Sequence, residues 1–219
     1  MAQVMQAGAV IAQTLATNKV IRNTYLLLSL SLVWSAITAF AAIRSGVGVI
    51  SPWLFLIFAI GMPLLINAFR NSAAGLVLTF VYTGIFGFML GPIVGLYIQL
   101  DPRIPAYALG TTALVFGGLS GYAMVTRQDF SFLRGFLVVG VLVVLAAIVG
   151  NIFLQMPALS MVISSAAILL ASAGMLYSTS QMIHDGEANY IVIACSLFGD
   201  IWVMFMHLMR LFSFFMGED

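Results

Sequence analysis

The sequence predicts an all-α integral membrane protein, a bundle of seven transmembrane helices. Hydrophobic residues make up 63% of the 219-residue chain and charged residues only 7%, against about 45–50% and about 25% in a soluble domain. The apolar residues fall into seven runs, each near the roughly 20 residues that a helix needs to cross a bilayer. The runs lack the alternation of apolar and polar residues that is typical of an outer-membrane barrel.

The charge content excludes several other classes of protein. Eight basic and seven acidic side chains are too few to form a water-facing surface, which excludes a soluble domain and a disordered chain. A formal net charge of +1 offers no basic surface to neutralise phosphates, so no nucleic-acid partner is expected. A single cysteine, Cys195, cannot form an intrachain disulfide. We expect no cofactor and no metal site, and the partner that the composition implies is the lipid bilayer.

The seven predicted spans are separated by very short polar segments. They are Val20–Ile43, Pro52–Phe69, Ala73–Leu100, Ile104–Val125, Phe132–Leu154, Ala158–Ile183 and Ala188–Phe215. Span one ends at Arg44-Ser45-Gly46, span two begins with Pro52, which a first helical turn tolerates, and span three ends at Asp101-Pro102. Such residues interrupt an apolar run and mark the places where the chain leaves the bilayer.

The later spans end in the same way. Span four ends before Arg127-Gln128-Asp129, span five before Gln155-Met156-Pro157, and span six before His184-Asp185-Gly186-Glu187. Asp185 and Glu187 provide too few oxygens for a calcium cage of six or more ligands. Span seven fills the remaining apolar stretch, and these short connections leave no room for a second domain.

The chain divides into an N-terminal tail, residues 1–18, and the seven-span bundle, residues 19–219. The tail carries no charge and lacks the charged region of a signal peptide, and we expect Met1–Thr17 to be mobile. Basic residues near the span ends favour one side of the membrane. On the N-terminal side lie Lys19, Arg22, Arg70, Arg127 and Arg134, and on the other side Arg44, Arg103 and Arg210. Cytoplasmic loops carry the excess of Lys and Arg, which predicts a cytoplasmic N-terminus and an external C-terminus.

Glycines recur at every fourth residue in span three, at Gly87, Gly91 and Gly95. They share one helix face, and small residues on one face let two helices approach closely in lipid. Pro92 removes one helical hydrogen bond and predicts a kink. A tight interhelical contact is the first interpretation, and a hinge or a thin wall beside a cavity is the second.

Asp200 lies about midway along span seven. A charged carboxylate there costs roughly 2.5–3.5 kcal/mol, so Asp200 is expected to face the bundle interior or water. His207 returns to nearly the same helix face seven residues later. Span six carries seven hydroxyl residues that could hydrogen-bond with Asp200 and His207. Because they are concentrated near the end of that span, we expect them to contact a polar partner or water. They are Ser160, Ser164, Ser165, Ser172, Ser178, Thr179 and Ser180.

Two interpretations of this polar set stay open. Asp200, His207 and the hydroxyl groups are candidates for a proton- or cation-responsive site. A single protonated Asp200 that donates one structural hydrogen bond between helices is the alternative. His207 alone is more typical of a packed histidine.

A protease is the one enzyme class with a local signal. Gly118-Leu119-Ser120-Gly121 matches the G-x-S-G pattern of rhomboid proteases, whose serine needs a histidine within hydrogen-bond reach. His207 is flanked by bulky residues such as Phe205 and Met206, which hinder the close helix approach that this pairing needs. A four-residue pattern in a glycine-rich helix is weak, and we expect no enzyme.

Short stretches in collinear order between Lys19 and Phe214 form a more specific pattern. They are Lys19–Tyr25, Phe80–Gly84, Leu90–Ile93, Gly110–Phe116, Asp129–Leu133, Asn151–Gln155, Asn189–Ile191 and Ser196–Phe198. Together they resemble the Bax inhibitor-1 family, and within it the YccA-type bacterial branch. The resemblance implies a seven-span bundle in the bacterial inner membrane and a modulator of an FtsH-type membrane AAA protease, acting in membrane protein quality control.

The resemblance also implies an alternative function. Members of the family are linked to calcium leak, and in leak-competent members a pair of aspartates on spans six and seven forms a pH-sensitive latch. Asp200 matches the span-seven aspartate, but Ser178 stands at the span-six position, so the pair is incomplete. A different gate, built on Asp200, Ser178 and Arg70 with calcium ions or protons as partners, is the form of this alternative that the sequence allows.

Overall fold

The computed structural model describes residues 2–49, 51–185 and 188–217, and the side chains of all of these except residues 2–16 and Pro52. The described residues form seven α-helices and no strand, which confirms the predicted helical bundle. The helices are α1 (Ala2–Ser45), α2 (Pro52–Ala68), α3 (Ala73–Leu100), α4 (Arg103–Thr126), α5 (Leu133–Leu154), α6 (Pro157–His184) and α7 (Tyr190–Met216). The bounds of α2 to α7 lie within two residues of the predicted spans.

Helix α1 differs from its prediction because it begins at Ala2, well before Val20. Residues 2–19 contain five alanines and three glutamines, which favour helix, and no proline. The stretch of α1 that is apolar enough to span begins at Thr17. The tail is therefore helical over residues 2–16, Met1 lies outside the described residues, and mobility of the tail stays a prediction.

Six of the helices are long and apolar enough to cross a membrane. The remaining helix, α2, has 17 residues, a length of about 25 Å at a rise of about 1.5 Å per residue. That is the short end of the range for a membrane helix. Pro63 lies inside α2 and Pro92 inside α3, and each helix continues through its proline.

Helix α7 is the centre of the bundle. It packs against α1, α2, α3, α4 and α6, and its side chains Leu197, Phe198 and Met204 are almost fully buried. Trp202 stacks on Phe55 of α2 with ring centroids 5.0 Å apart. Helix α5, by contrast, contacts only α6 among the described helices, and none of its residues is buried. A polar residue on α7 therefore lies inside the protein.

A loop contact identifies one end of the bundle. The side-chain amide of Asn189 donates hydrogen bonds to the Arg70 carbonyl oxygen (2.9 Å) and to Asn71 Oδ1 (3.0 Å). These bonds join the α2–α3 and α6–α7 connections, and we call this end of the bundle the Asn189 end. The opposite end, where α1, α3, α5 and α7 finish, is called the Arg210 end.

Candidate functional site

The carboxylate of Asp200, in the middle of α7, rests against Gly174 of α6. A Cβ atom built on Gly174 would lie 2.6 Å from Oδ1 and 2.7 Å from Oδ2 of Asp200, so glycine leaves the space that the carboxylate occupies. Asp200 is half-buried. No hydrogen bond or ion pair joins it to another of the residues that the structure describes. The central helix thus presents to α6 an acid whose oxygens are available to a proton, a cation or water.

Two buried titratable side chains lie within electrostatic reach of Asp200. They are Tyr82 of α3 and Cys195 of α7. The Tyr82 hydroxyl is 3.4 Å from the position of a Cβ on Gly199, the residue before Asp200. Neither group is basic, so neither supplies a positive charge to balance an ionised Asp200.

Ser178 lies on the same face of α6 as Gly174, one helical turn later. It is 3% exposed, and no hydrogen bond joins it to Asp200 within the described structure. Ser178 therefore lies on the α6 face that meets Asp200 at Gly174, and this face carries no second carboxyl group at the position where the resemblance implies one.

His207 pairs with α6 at a different level of the bundle. Its Nδ1 atom is 3.1 Å from the Ser164 hydroxyl, while Gly174, the neighbour of Asp200, lies ten residues further along α6. The geometry separates His207 from Asp200 and gives each its own contact on α6.

Ser120 has a partner other than the histidine that a protease needs. Its hydroxyl lies 3.2 Å from the hydroxyl of Thr179 on α6. His207 is engaged with Ser164, so the described structure does not join serine and histidine into a nucleophile and base.

Arg70 lies in the connection between α2 and α3 at the Asn189 end, and its side chain is exposed. Its backbone carbonyl accepts the hydrogen bond from Asn189, which also caps the start of α7 through Ile191 N and Val192 N. The structure therefore gives Arg70 a place in a loop contact and does not bring it to Asp200.

Gly87 and Gly91 of α3 lie directly against α1. A Cβ atom on Gly87 would overlap the carbonyl oxygen of Ser35, and one on Gly91 would overlap that of Ala39. Gly95 is looser, since its Cβ would lie at an ordinary contact distance of 3.8 Å from the nearest side chain of α1. Two of the three glycines thus allow backbone contact between α1 and α3.

A polar cluster closes the bundle at the Asn189 end. The buried Ser180 hydroxyl accepts a hydrogen bond from the Phe130 amide (3.0 Å) and donates to the Gln128 carbonyl (3.3 Å), which confirms polar contacts for the end of span six. Nearby, the amide of Ser131 donates to Asp129 Oδ1 (2.8 Å). That hydrogen bond lowers the pKa of Asp129 below its ordinary value. The cluster holds the α4–α5 loop against α6, and Glu187 of the neighbouring acidic loop lies outside the described residues.

A cavity of about 780 Å³ opens at the Arg210 end, bordered by α2, α3, α5, α6 and α7. Its polar lining includes Asn151, Gln155, Ser160, His207 and Arg210. The rest of the lining is mostly apolar, and no acidic side chain is among the described residues that form it.

Gly174 and the cavity are the features that the sequence did not predict. A lone glycine in a helix has no periodic signal, unlike Gly87 and Gly91, and its contact with Asp200 depends on how α6 and α7 pack. Asn151 and Gln155, which line the cavity, were a sequence signal that the predictions did not use, because two amides at the end of an apolar span need polar surroundings.

Comparisons with known proteins give a consistent result. A family model described as "Inhibitor of apoptosis-promoting Bax1" matches residues 17–217. The chain is 43% identical over 203 residues to the protein named Modulator of FtsH protease YccA of Escherichia coli K12, which covers 91% of this chain and 92% of that protein. The identity and the coverage are the same for the protein named Inner membrane protein YccA of Escherichia coli O6:H1. An uncharacterized protein of Pseudomonas aeruginosa is 39% identical over 219 residues, 99% of both chains.

Proposed function

Because the chain belongs to the Bax inhibitor-1 family, we propose that it is a non-enzymatic, multi-pass protein of the bacterial inner membrane that modulates an FtsH-type membrane AAA protease. The observation that carries the proposal is the 43% identity, over nearly the full length of both chains, to a protein named as a modulator of FtsH. The family model covers residues 17–217, which include α2 to α7 and the apolar part of α1, so the surfaces available to a protease are those of a family member.

The architecture supports a modulator that acts by contact. Helices α3 and α4 are separated by only two residues, and α5 and α6 by two, so the described chain contains no aqueous domain. Ser120 and His207 each have another hydrogen-bond partner, which favours a non-enzymatic role. Contact with a protease is therefore expected through the lipid-facing helix surfaces, the short loops and the N-terminal segment. The excess of basic residues on the N-terminal side predicts that this segment is cytoplasmic.

Deletion of Met1–Thr17 tests the N-terminal segment as the part that the protease engages. The bundle is expected to stay folded, because both the family match and the apolar part of α1 begin at residue 17. The half-life of the chain, or its effect on FtsH-dependent decay of a membrane reporter, is expected to change. Pulse-chase measurements compare cells with the full chain, the shortened chain and no chain.

A chain in which a Gly-Ser linker of equal length replaces Ala2–Thr17 is the matched control for length. If the full chain leaves reporter decay as it is in cells without the chain, the modulator proposal is wrong. If the shortened chain behaves like the full chain in both half-life and reporter decay, the N-terminal segment has no part in the modulation.

A pH-sensitive cation leak is the second candidate function, with calcium ions or protons as the transported or sensed species. The observation in its favour is the Asp200 carboxylate, which lies inside the bundle without a hydrogen-bond partner among the described residues. Ser178 lies at the same helix interface and is the position at which a second acid would complete a pair.

Substitutions at these two positions test the leak. Asp200→Asn keeps the side-chain shape and removes the titrating group, so any flux is expected to lose its pH dependence. Ser178→Asp places a second carboxyl at the interface, and two carboxyls that share one site cannot both ionise easily and titrate as a unit. We expect Ser178→Asp to gain or strengthen a pH-dependent calcium leak in liposomes assayed from about pH 5 to about pH 8. Identical curves for the natural protein and both variants would leave Asp200 with a structural role only.

A further inference from the structure

We propose that the cavity at the Arg210 end binds an anionic phospholipid, with the headgroup phosphate on Arg210 and one acyl chain along the apolar wall. Arg210 is exposed, and no ion pair joins it to any other residue that the structure describes. It lines both the cavity of about 780 Å³ and a neighbouring one of about 410 Å³. An arginine in this position offers a planar set of donors that matches a phosphate group.

The lining matches the charge and the polarity of such a lipid. Tyr97 lines both cavities and Ser213 the smaller one, so hydroxyl groups are available beside the guanidinium. Because no acidic side chain lies among the described lining residues of either cavity, the site favours an anion over a cation. Asp200 is not part of this lining, and the lipid site is therefore separate from the candidate proton or cation site.

The apolar wall is long enough for part of an acyl chain. Trp202, Met206 and Arg210 are spaced four residues apart on α7 and all line the cavity. Trp202 and Arg210 are thus about 12 Å apart along the helix axis. Ile163 of α6 adds to the wall. The cavity volume lies within the range of about 300–1,000 Å³ that is typical of small-molecule sites. A free inorganic anion would make no contact with this apolar wall, whereas an acyl chain would.

The depth of Arg210 agrees with a headgroup contact. Arg210 precedes the end of α7 at Met216 by six residues, about 9 Å along the axis. Long basic side chains at this distance from a helix end reach the boundary between acyl chains and headgroups. A lipid whose phosphate meets Arg210 at that boundary would extend its chain toward Trp202.

Quenching of Trp202 fluorescence by brominated lipids tests the proposal. Trp34 and Trp53 are 42% and 53% exposed, so bulk lipid would quench both of them, whereas Trp202 is 8% exposed and lines the cavity. In a Trp34→Phe/Trp53→Phe protein, Trp202 is the remaining tryptophan, and its fluorescence reports on the cavity. We expect phosphatidylglycerol brominated at mid-chain to quench Trp202 with an apparent affinity roughly tenfold above that of brominated phosphatidylcholine, as for one charge-assisted hydrogen bond. Arg210→Gln should remove this preference, and Arg210→Lys, which keeps the charge, should retain most of it.

Three further measurements make the test specific. Arg44→Gln is the matched control, because Arg44 lies in the last turn of α1, at the same end of the bundle, and does not line the cavity. This variant should retain the preference. Truncation after Gly217 removes Glu218 and Asp219, the acids nearest in sequence, and should also retain it. Equal quenching by both lipids would overturn the proposal. So would displacement of the lipid by inorganic phosphate at constant ionic strength, which would assign the site to free phosphate.

Discussion

Replacing Gly87 and Gly91 together by alanine is expected to destabilise the bundle by about 1–3 kcal/mol per site, the usual cost of an overpacked contact. Each new Cβ would overlap a carbonyl oxygen of α1, at Ser35 and Ala39. Backbone atoms cannot move aside as the tip of a side chain can, so α1 and α3 must separate. The midpoint of thermal unfolding in detergent measures the loss.

The same substitution on α4 should have the opposite sign. Gly110 and Gly117 have nothing within 4 Å of a built Cβ, and alanine favours helix over glycine by about 1 kcal/mol at an exposed site. The Gly110→Ala/Gly117→Ala protein is therefore expected to be as stable as the natural protein or slightly more so. Equal unfolding midpoints for the two double variants would show that α1 and α3 are not in backbone contact.

Gly174→Ala should have the second large effect, through Asp200. The alanine methyl group would lie 2.6–2.7 Å from the carboxylate oxygens, and the carboxylate must turn away or α6 must shift. We expect a loss of about 1 kcal/mol in the free energy of unfolding, at the low end of the cost of overpacking, because a carboxylate can turn where a backbone cannot. In a protein that already carries Asp200→Ala, the same substitution should cost little, because the group that it displaces is absent.

A double-mutant cycle measures this coupling. Residues in direct contact show coupling energies of about 0.5–3 kcal/mol, and we expect the Gly174–Asp200 pair to fall in that range. Gly118→Ala combined with Asp200→Ala is the matched control, because nothing lies within 4 Å of a Cβ on Gly118. A coupling for Gly174 no larger than that for Gly118 would contradict the contact.

The bounds of α2 to α7 were predictable because few backbone structures can cross a lipid bilayer. Apolar runs of the right length must be helices, and polar segments such as Asp101-Pro102 mark where they stop. The start of α1 was not predictable in this way. Residues 2–16 belong to the same helix but are less apolar than the span, so hydropathy did not extend the element through them.

The partners within the bundle were harder to predict than the helices. The period of Gly87, Gly91 and Gly95 indicates a shared face, but not that Gly95 packs loosely. Asp200 stands out as an acid in an apolar span, whereas its neighbour Gly174 depends on the register of α6 against α7. The same register pairs His207 with Ser164. The spacing of residues within α7 cannot predict this pair, because the partner lies on another helix.

Affinity purification from native membranes measures directly whether this protein binds the protease, the contact on which the proposed modulation depends. The tagged chain is extracted in mild detergent after crosslinking in living cells, and the amount of FtsH-type protease recovered is compared with that from an unrelated polytopic membrane protein of similar size and expression. We expect the protease to be recovered with this chain in clear excess over the control. Recovery equal to the control, despite crosslinking, would contradict the proposed function.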